Sequence, residues 1–289
     1  MRSQQQMMDL ILEIARKDDR VRAVAMNGSR TNPAVPKDIF QDYDVVYLVT
    51  EMESFLNDPG WVDVFGERVI MQTPEAMTLL PPSLGGRFTY LMQFEDGNRI
   101  DLCLVLMEEK DQYCKEDRLT VVLLDKDGVM PKLDPPDDRD YHVKRPNEKL
   151  FLDCCNEFWW VMTYVAKGIW RKEMPYAMDM LNHPVRDMLN CMMSWHIGTK
   201  TDFSVSVGKS CKYFQRYLDP QMWDSYAKTY PAGNYQSLWD SVYEMCTLFR
   251  RGGEWVADFF GFSYPVNEEQ KVIRYLKHVE HLPENAKEF

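Results

Sequence analysis

The sequence predicts an α+β protein in two parts. An N-terminal domain over residues 1–140 carries a mixed β-sheet flanked by helices, and an all-α helical bundle follows over residues 147–289. Three observations predict this division. Short apolar β-type runs bounded by Gly, Pro, Asn and Asp recur as far as residue 124. A Pro- and Asp-rich stretch at 132–146 then reads as a linker or surface loop. Beyond it, apolar and aromatic residues recur at helical spacing.

Taken in order, Met7, Leu10, Ile11 and Ile14 give an opening helix over 7–16. Residues 21–26 are a short apolar strand that runs into Gly28-Ser29, and 31–41 is irregular, with Pro33 and Pro36. Asp42-Tyr43-Asp44 opens the next strand, which continues through Val45, Val46, Tyr47, Leu48 and Val49. A turn at 57–60, a strand at 67–72 and a short helix at 74–80 follow. Runs 87–95 and 99–106 flank Asp96-Gly97-Asn98 and read as a hairpin. A last strand covers 119–124. The bundle comprises helices at 147–171, 176–198 with a kink near Pro184, 209–218, 221–229, 235–260 with a bend at Gly252-Gly253, and 268–281. Trp159, Trp160, Met188, Met192 and Met193 read as core.

Composition narrows the function. The 289 residues are 45% hydrophobic and 13% aromatic, ample for a packed interior. No run approaches the roughly 18 consecutive apolar residues of a membrane span. The first twenty residues read as a charged amphipathic helix rather than a signal peptide. The seven cysteines form no C-x-x-C pair and the five histidines show no zinc spacing, so reduced, mostly buried thiols and a cytoplasmic location are expected. A net charge of −11 argues against general nucleic-acid binding and suits a cationic ligand, although acidity alone is ordinary in a soluble protein.

The chemistry concentrates in 26–49. Alternation along a strand points Asp42 and Asp44 the same way, about 7 Å apart, as half of a cage for a hard divalent cation. Gly28-Ser29 offers backbone N–H groups and a hydroxyl to a phosphate, and Arg30 could add charge there. Asp101 breaks an apolar strand between Ile100 and Leu102, as functional residues often do. Three carboxylates from two strands suit Mg²⁺ bridging a nucleotide's phosphates. The plain alternatives are a strand-capping Asp42, a solvent-facing Asp44, an Asp101 paired with an arginine, and an ordinary turn serine at position 29. Lys209 and Lys212, three apart, share a face of the expected helix, which is by itself usually a solvated face.

Gly28-Ser29, Asp42-Tyr43-Asp44 and a third carboxylate in a later strand resemble the polymerase-β-like nucleotidyltransferases. The resemblance is closer to the aminoglycoside 6-adenylyltransferases, the streptomycin-modifying enzymes. It is carried by Arg22-Ala23-Val24, Asn27-Gly28-Ser29-Arg30, Met71-Gln72-Thr73-Pro74, Asn98-Arg99-Ile100-Asp101-Leu102, Phe158-Trp159-Trp160, Val207-Gly208-Lys209 and Lys212-Tyr213. It implies transfer of AMP from ATP to a streptomycin hydroxyl with pyrophosphate release, and hence antibiotic resistance. Asp42 and Asp44 would bind Mg²⁺, and Asp101 would be a third ligand or the base, with Glu95 as a second choice of base. Gly28, Ser29 and Arg30 would hold phosphates, and Lys209 or Lys212 would reach the triphosphate from the helical domain. Streptomycin's guanidinium groups call for carboxylates and aromatic faces, which Trp170, Glu173, Tyr176 and Asp179 offer. The expected partners are ATP and a cationic aminoglycoside, with no nucleic acid and no membrane, and the chain is expected to be a monomer. Another acceptor, such as a lincosamide or a different aminoglycoside, and a catalytically silent nucleotide-binding regulatory module are the alternatives. An intact carboxylate set speaks against silence.

Overall fold

In the computed structural model, which describes residues 1–79, 82 and 84–289, the chain opens with helix α1 (Gln4–Lys17). Ser3 and Gln6 close a capping box at its start. Met7, Ile11 and Ala15, four apart, form its fully buried stripe. The chain divides into two units, Met1–Asp140 and Tyr141–Phe289.

Six strands build the first unit: β1 (Val21–Asn27), β2 (Tyr43–Val49), β3 (Arg68–Gln72), β4 (Phe88–Phe94), β5 (Arg99–Leu106) and β6 (Val121–Asp125). They form one sheet in the order β3-β4-β5-β2-β1-β6. Every pairing is antiparallel except β2 with β5, so the sheet is mixed, as the sequence predicts. Alternation divides its two faces. Tyr43, Val45, Tyr47 and Val49 of β2, with Ile100, Leu102 and Leu104 of β5, pack in one core with α1. The buried Tyr47 hydroxyl donates to the Ile11 carbonyl at 2.6 Å. Val46, Leu48 and Val105 face the other way, onto Tyr113 and Cys114. Two short helices lacked a legible apolar period: α2 (Glu53–Leu56) and α3 (Lys110–Glu116), which carries that second small core. The expected helix at 74–80 is a single 3₁₀ turn, Pro74–Ala76, and its last residue, Leu80, lies outside the described residues.

The second unit is helical. Helix α4 (Glu148–Trp170) starts at Asn147, whose side chain caps the Leu150 N–H. Helices α5 (Met174–Met180) and α6 (Arg186–Lys200) are joined by a π-helical segment, Leu181–Val185. Pro184 sits inside it, where the wider turn accommodates the missing N–H. Helices α7 (Phe214–Tyr217), α8 (Pro220–Lys228), α9 (Tyr235–Phe260) and α10 (Val266–His281) complete the unit.

One further expectation is corrected here. The stretch 209–218 is not a helix: Lys209–Cys211 is a 3₁₀ turn in which Ser210 and Cys211 have φ of 54° and 61°, and only α7 follows. L-residues at positive φ cannot continue a right-handed helix. Helix α9 runs from Tyr235 to Phe260 without interruption, and its two glycines serve packing. A Cβ on Gly252 would lie 2.2 Å from Met193 Cε, and one on Gly253 would lie 2.5 Å from Tyr264 Cε2. All seven cysteines are free, with Cys114, Cys154, Cys155 and Cys246 buried. Among the described residues no helix is long and apolar enough to cross a membrane.

Phe158 of α4 and Phe249 of α9 are fully buried and stack at 3.8 Å between ring centroids. Phe249→Ala should destabilise the second unit by about 3–5 kcal/mol, read from the urea midpoint by tryptophan fluorescence. His196 of α6 is also buried, and neither ring nitrogen has a hydrogen-bond partner among the described residues. Burial, aided by Lys200 and Arg251 and opposed by Asp219, pushes its pKa from 6.5 down to about 4. Between those values the unfolded chain binds the extra proton, so this contribution is complete above pH 6.5 and is lost as pH falls toward 4. Urea midpoints measured across that window should fall less steeply in His196→Phe than in the wild type.

Candidate active site

Topology places the candidate carboxylates. Because β2 and β5 are parallel, both strands begin at the same end of the sheet, and their register sets Asp44 beside Asp101. Both face the side opposite α1, since their neighbours Tyr43, Val45, Ile100 and Leu102 fill the α1 core. Strand β1 ends at the same place, with Asn27 paired to Asp44, and delivers the next residue, Gly28, onto the carboxylate. A Cβ at Gly28 would lie 2.0 Å from Asp44 Oδ2 and 2.9 Å from its Cγ. With φ at +76°, the position also requires the left-handed freedom of glycine. Asp42 precedes β2, with its carboxylate partly exposed.

Arg99, the first residue of β5, places a cation in this cluster. Its Nε and Nη2 meet the two Asp101 oxygens at 2.7 and 2.8 Å, a bidentate pair, and its Nε lies 3.7 Å from Asp42 Oδ2. The plain alternative for Asp101, a pairing with an arginine, therefore holds geometrically, and the arginine is shared with Asp42. Asp44 is less well compensated. Its burial, then Asp101 and Asp42, raise its pKa from 3.8 to about 6 against the opposing effect of Arg99 and Arg30.

The Gly-Ser motif forms a 3₁₀ turn, Gly28–Arg30. Thr31 Oγ1 donates to the Gly28 carbonyl at 2.9 Å, and Asn27 Nδ2 donates to Thr120 Oγ1 at 2.8 Å. Tyr113 donates its hydroxyl proton to Asn27 Oδ1. Arg30 lies 3.6 Å over the Tyr43 ring and donates to the Gln41 and Asp42 carbonyls at 2.7 and 3.0 Å. Its observed contacts thus pin the chain that leads into β2. Gln41 is buried, donates to the Ser29 carbonyl at 3.3 Å, and keeps Oε1 without a partner among the described residues. Sequence reasoning missed Arg99, Gln41, Asn27 and Tyr113. For Arg99 the signal was an arginine two residues before Asp101, on the same strand face.

Glu95 is exposed in the β4–β5 turn, at the same end of the sheet as the carboxylates. In the second unit, Lys209 and Lys212 are both exposed, on the turn that replaces the expected helix, and the Lys212 ammonium lies 5.2 Å from the Tyr213 ring centroid. Trp170 ends α4 and donates its indole N–H to the Leu282 carbonyl at 3.3 Å. Glu173 precedes α5 and lies 4.0 Å from Arg171, while Asp179 pairs with His183 at 3.5 Å. Tyr176 is 42% exposed, with its ring edge against Gly168. The indole N–H of Trp170 is thus engaged with the C-terminal segment, whereas Glu173 and Asp179 contact side chains on or next to their own helix.

Among the described residues no three His, Cys, Asp or Glu side chains are grouped so as to hold a metal ion by themselves. The donor chemistry nevertheless fits a hard divalent cation. All the donors are carboxylate oxygens, Asp42 and Asp101 already share one cation in Arg99, and the bare Gly28 lets the Gly-Ser turn close directly onto Asp44, whose Oδ2 takes the place a Cβ would need. Mg²⁺ needs only one or two carboxylates when phosphate oxygens and water complete its shell. Gly28→Ala should lower stability by about 1–3 kcal/mol in urea unfolding, since left-handed strain adds to the clash with Asp44. Gly128 has φ of +67° with nothing within 4 Å of a Cβ, so Gly128→Ala should cost only the strain.

Known proteins match this chain in sequence along nearly its whole length. The family model for streptomycin adenylyltransferase matches residues 1–279. A protein named aminoglycoside 6-adenylyltransferase from Bacillus subtilis is 45% identical over 93% of this chain and 95% of its own length. One of the same name from Campylobacter jejuni is 43% identical over 96% of this chain and 95% of its own length. A crystal structure of an aminoglycoside 6-adenyltransferase from Bacillus subtilis aligns at 39% identity with a TM-score of 0.49, covering 98% of this chain and 100% of that one. Two strand-borne carboxylates beside a Gly-Ser turn, within a match that spans nearly every residue, have one reading: the chain belongs to the streptomycin adenylyltransferase family.

Proposed function

We propose that this protein transfers AMP from ATP to a hydroxyl of streptomycin, releases pyrophosphate, and so confers resistance to the antibiotic in the cytoplasm. The observation that carries the reading is the pair Asp44 and Asp101, side by side across β2 and β5 with Gly28 pressed on Asp44. Asp42, Asp44 and Asp101 would hold Mg²⁺. When bound, the ion would neutralise charge on the phosphates and lower the pKa of the acceptor hydroxyl.

The protein's own residues supply the rest. An alcohol is a poor nucleophile and must lose its proton while attacking the α-phosphorus, and a carboxylate of this cluster accepts that proton. The N–H groups of the Gly28–Arg30 turn and the Ser29 hydroxyl hold the outer phosphates. Arg30 fixes the approach of Asp42 through the two carbonyls it binds. For Lys209 and Lys212 as phosphate ligands, and for Trp170, Glu173, Tyr176 and Asp179 as the acceptor's contacts, the support is the family resemblance together with their chemistry. Glu95 belongs to the same proposal, as an exposed carboxylate for a cationic acceptor. The net charge of −11 favours approach of such a polycation.

Pyrophosphate release tests this directly. Purified protein with Mg²⁺ and each nucleoside triphosphate would be offered streptomycin, kanamycin and lincomycin in turn. Release is expected with ATP and streptomycin; silence with that pair would sink the proposal, and release with another acceptor alone would reassign the substrate. Asp101→Asn should lower turnover at least about a hundredfold while leaving the fold intact by circular dichroism. Retained turnover would remove Asp101 from the catalytic set.

A further inference from the structure

Arg99 occupies an unusual position for a residue that the sequence pattern did not single out. Its guanidinium engages both oxygens of Asp101 and also approaches Asp42. The oxygens that the proposed function assigns to a divalent cation are therefore already bonded to a cation built into the chain. Its side chain is 39% exposed, so it can leave the cluster without unpacking the core. No other arginine or lysine among the described residues forms an ion pair with Asp44 or Asp101.

We propose that Arg99 and the divalent cation compete for the carboxylate oxygens of Asp101 and Asp42, so that the protein without nucleotide binds metal weakly and loads it together with the triphosphate. The inference rests on the reading of this cluster as the metal site. Three carboxylates crowded at one sheet end repel each other, and one positive charge among them lowers that repulsion. Arg99 holds them in that state. A divalent ion arriving alone must break a bidentate ion pair to gain the same oxygens. An ion arriving on a triphosphate brings its own oxygen ligands and also offers the released guanidinium an anionic partner. Arg99 is thus a positioning residue that sets the order of loading, and its effect is on binding rather than on the chemical step.

The test is a titration of Mn²⁺ against the protein without nucleotide, with free Mn²⁺ read by electron paramagnetic resonance. Arg99→Gln should bind Mn²⁺ at least about tenfold more tightly than the wild type. Lys37→Gln, which removes one exposed charge from the loop before Asp42, should leave the affinity unchanged and so controls for net charge. Arg99→Lys keeps the charge but cannot span both oxygens of Asp101, and should tighten binding by less than Arg99→Gln. It also serves if Arg99→Gln fails to fold, each variant being checked by thermal unfolding. Equal or weaker binding in both Arg99 variants overturns the competition. A second arm measures protein-bound Mn²⁺ with a non-hydrolysable ATP analogue by water proton relaxation, in the wild type and in Asp44→Asn. Loss of the signal in Asp44→Asn together with no tightening in the Arg99 variants rejects Arg99 alone. An Asp44→Asn signal equal to wild type rejects the metal site, and the competition falls with it.

Discussion

The structure around the site depends on one constraint: negative charges are held close together at the end of a sheet whose interior is apolar. Only a parallel strand pair brings two strand starts to the same place, and here that pair is β2 and β5. The antiparallel remainder of the sheet serves this arrangement. The β4–β5 hairpin returns the chain so that β5 can run alongside β2, and β1 ends where β2 begins, which brings the Gly-Ser turn to the carboxylates. The cost of crowding shows on Asp44, whose proton affinity rises with its burial and its neighbours. Arg99 offsets the crowding for Asp101 and Asp42.

Much of this was legible in the sequence. Asp44 could be placed on one face of its strand because strand alternation is strict, whereas Asp42 precedes the strand. Asp101 stood out because a charge within an apolar strand is costly without a reason. The Asp96-Gly97-Asn98 turn fixed the hairpin through its chemistry. What could not be read was pairing. Parallel register between β2 and β5 links residues more than fifty positions apart, and no local pattern encodes it. Arg99 was overlooked although its spacing from Asp101 was a signal, since an arginine at a strand start is ordinary until its partners are known. The short helices α2 and α3 lack an apolar period, because few of their residues are buried.

The second unit shows the opposite balance. Its long helices were plain from apolar spacing, and Pro184 marked the π-helical segment. The stretch 209–218 failed because Ser210 and Cys211 take left-handed backbone conformations that neither residue type advertises. The close approach of Met193 and Tyr264 to the glycines of α9 is a tertiary fact that no local pattern encodes. Lys209 and Lys212 therefore do not sit on a helix face, and whatever they reach is set by a strained turn.

Gly28 and Asp44 share a single volume. The space that a methyl group would need at position 28 is already taken by an oxygen from position 44. Neither residue can grow unless the other shrinks, and the two are joined by adjacent antiparallel strands that allow little adjustment. In a laboratory-evolved lineage the two positions would consequently vary as one unit. Enlargement at 28 becomes tolerable only after the carboxylate at 44 has been given up, and with it the chemistry. The glycine thus confines sequence drift at this corner of the fold to lineages that have abandoned the activity.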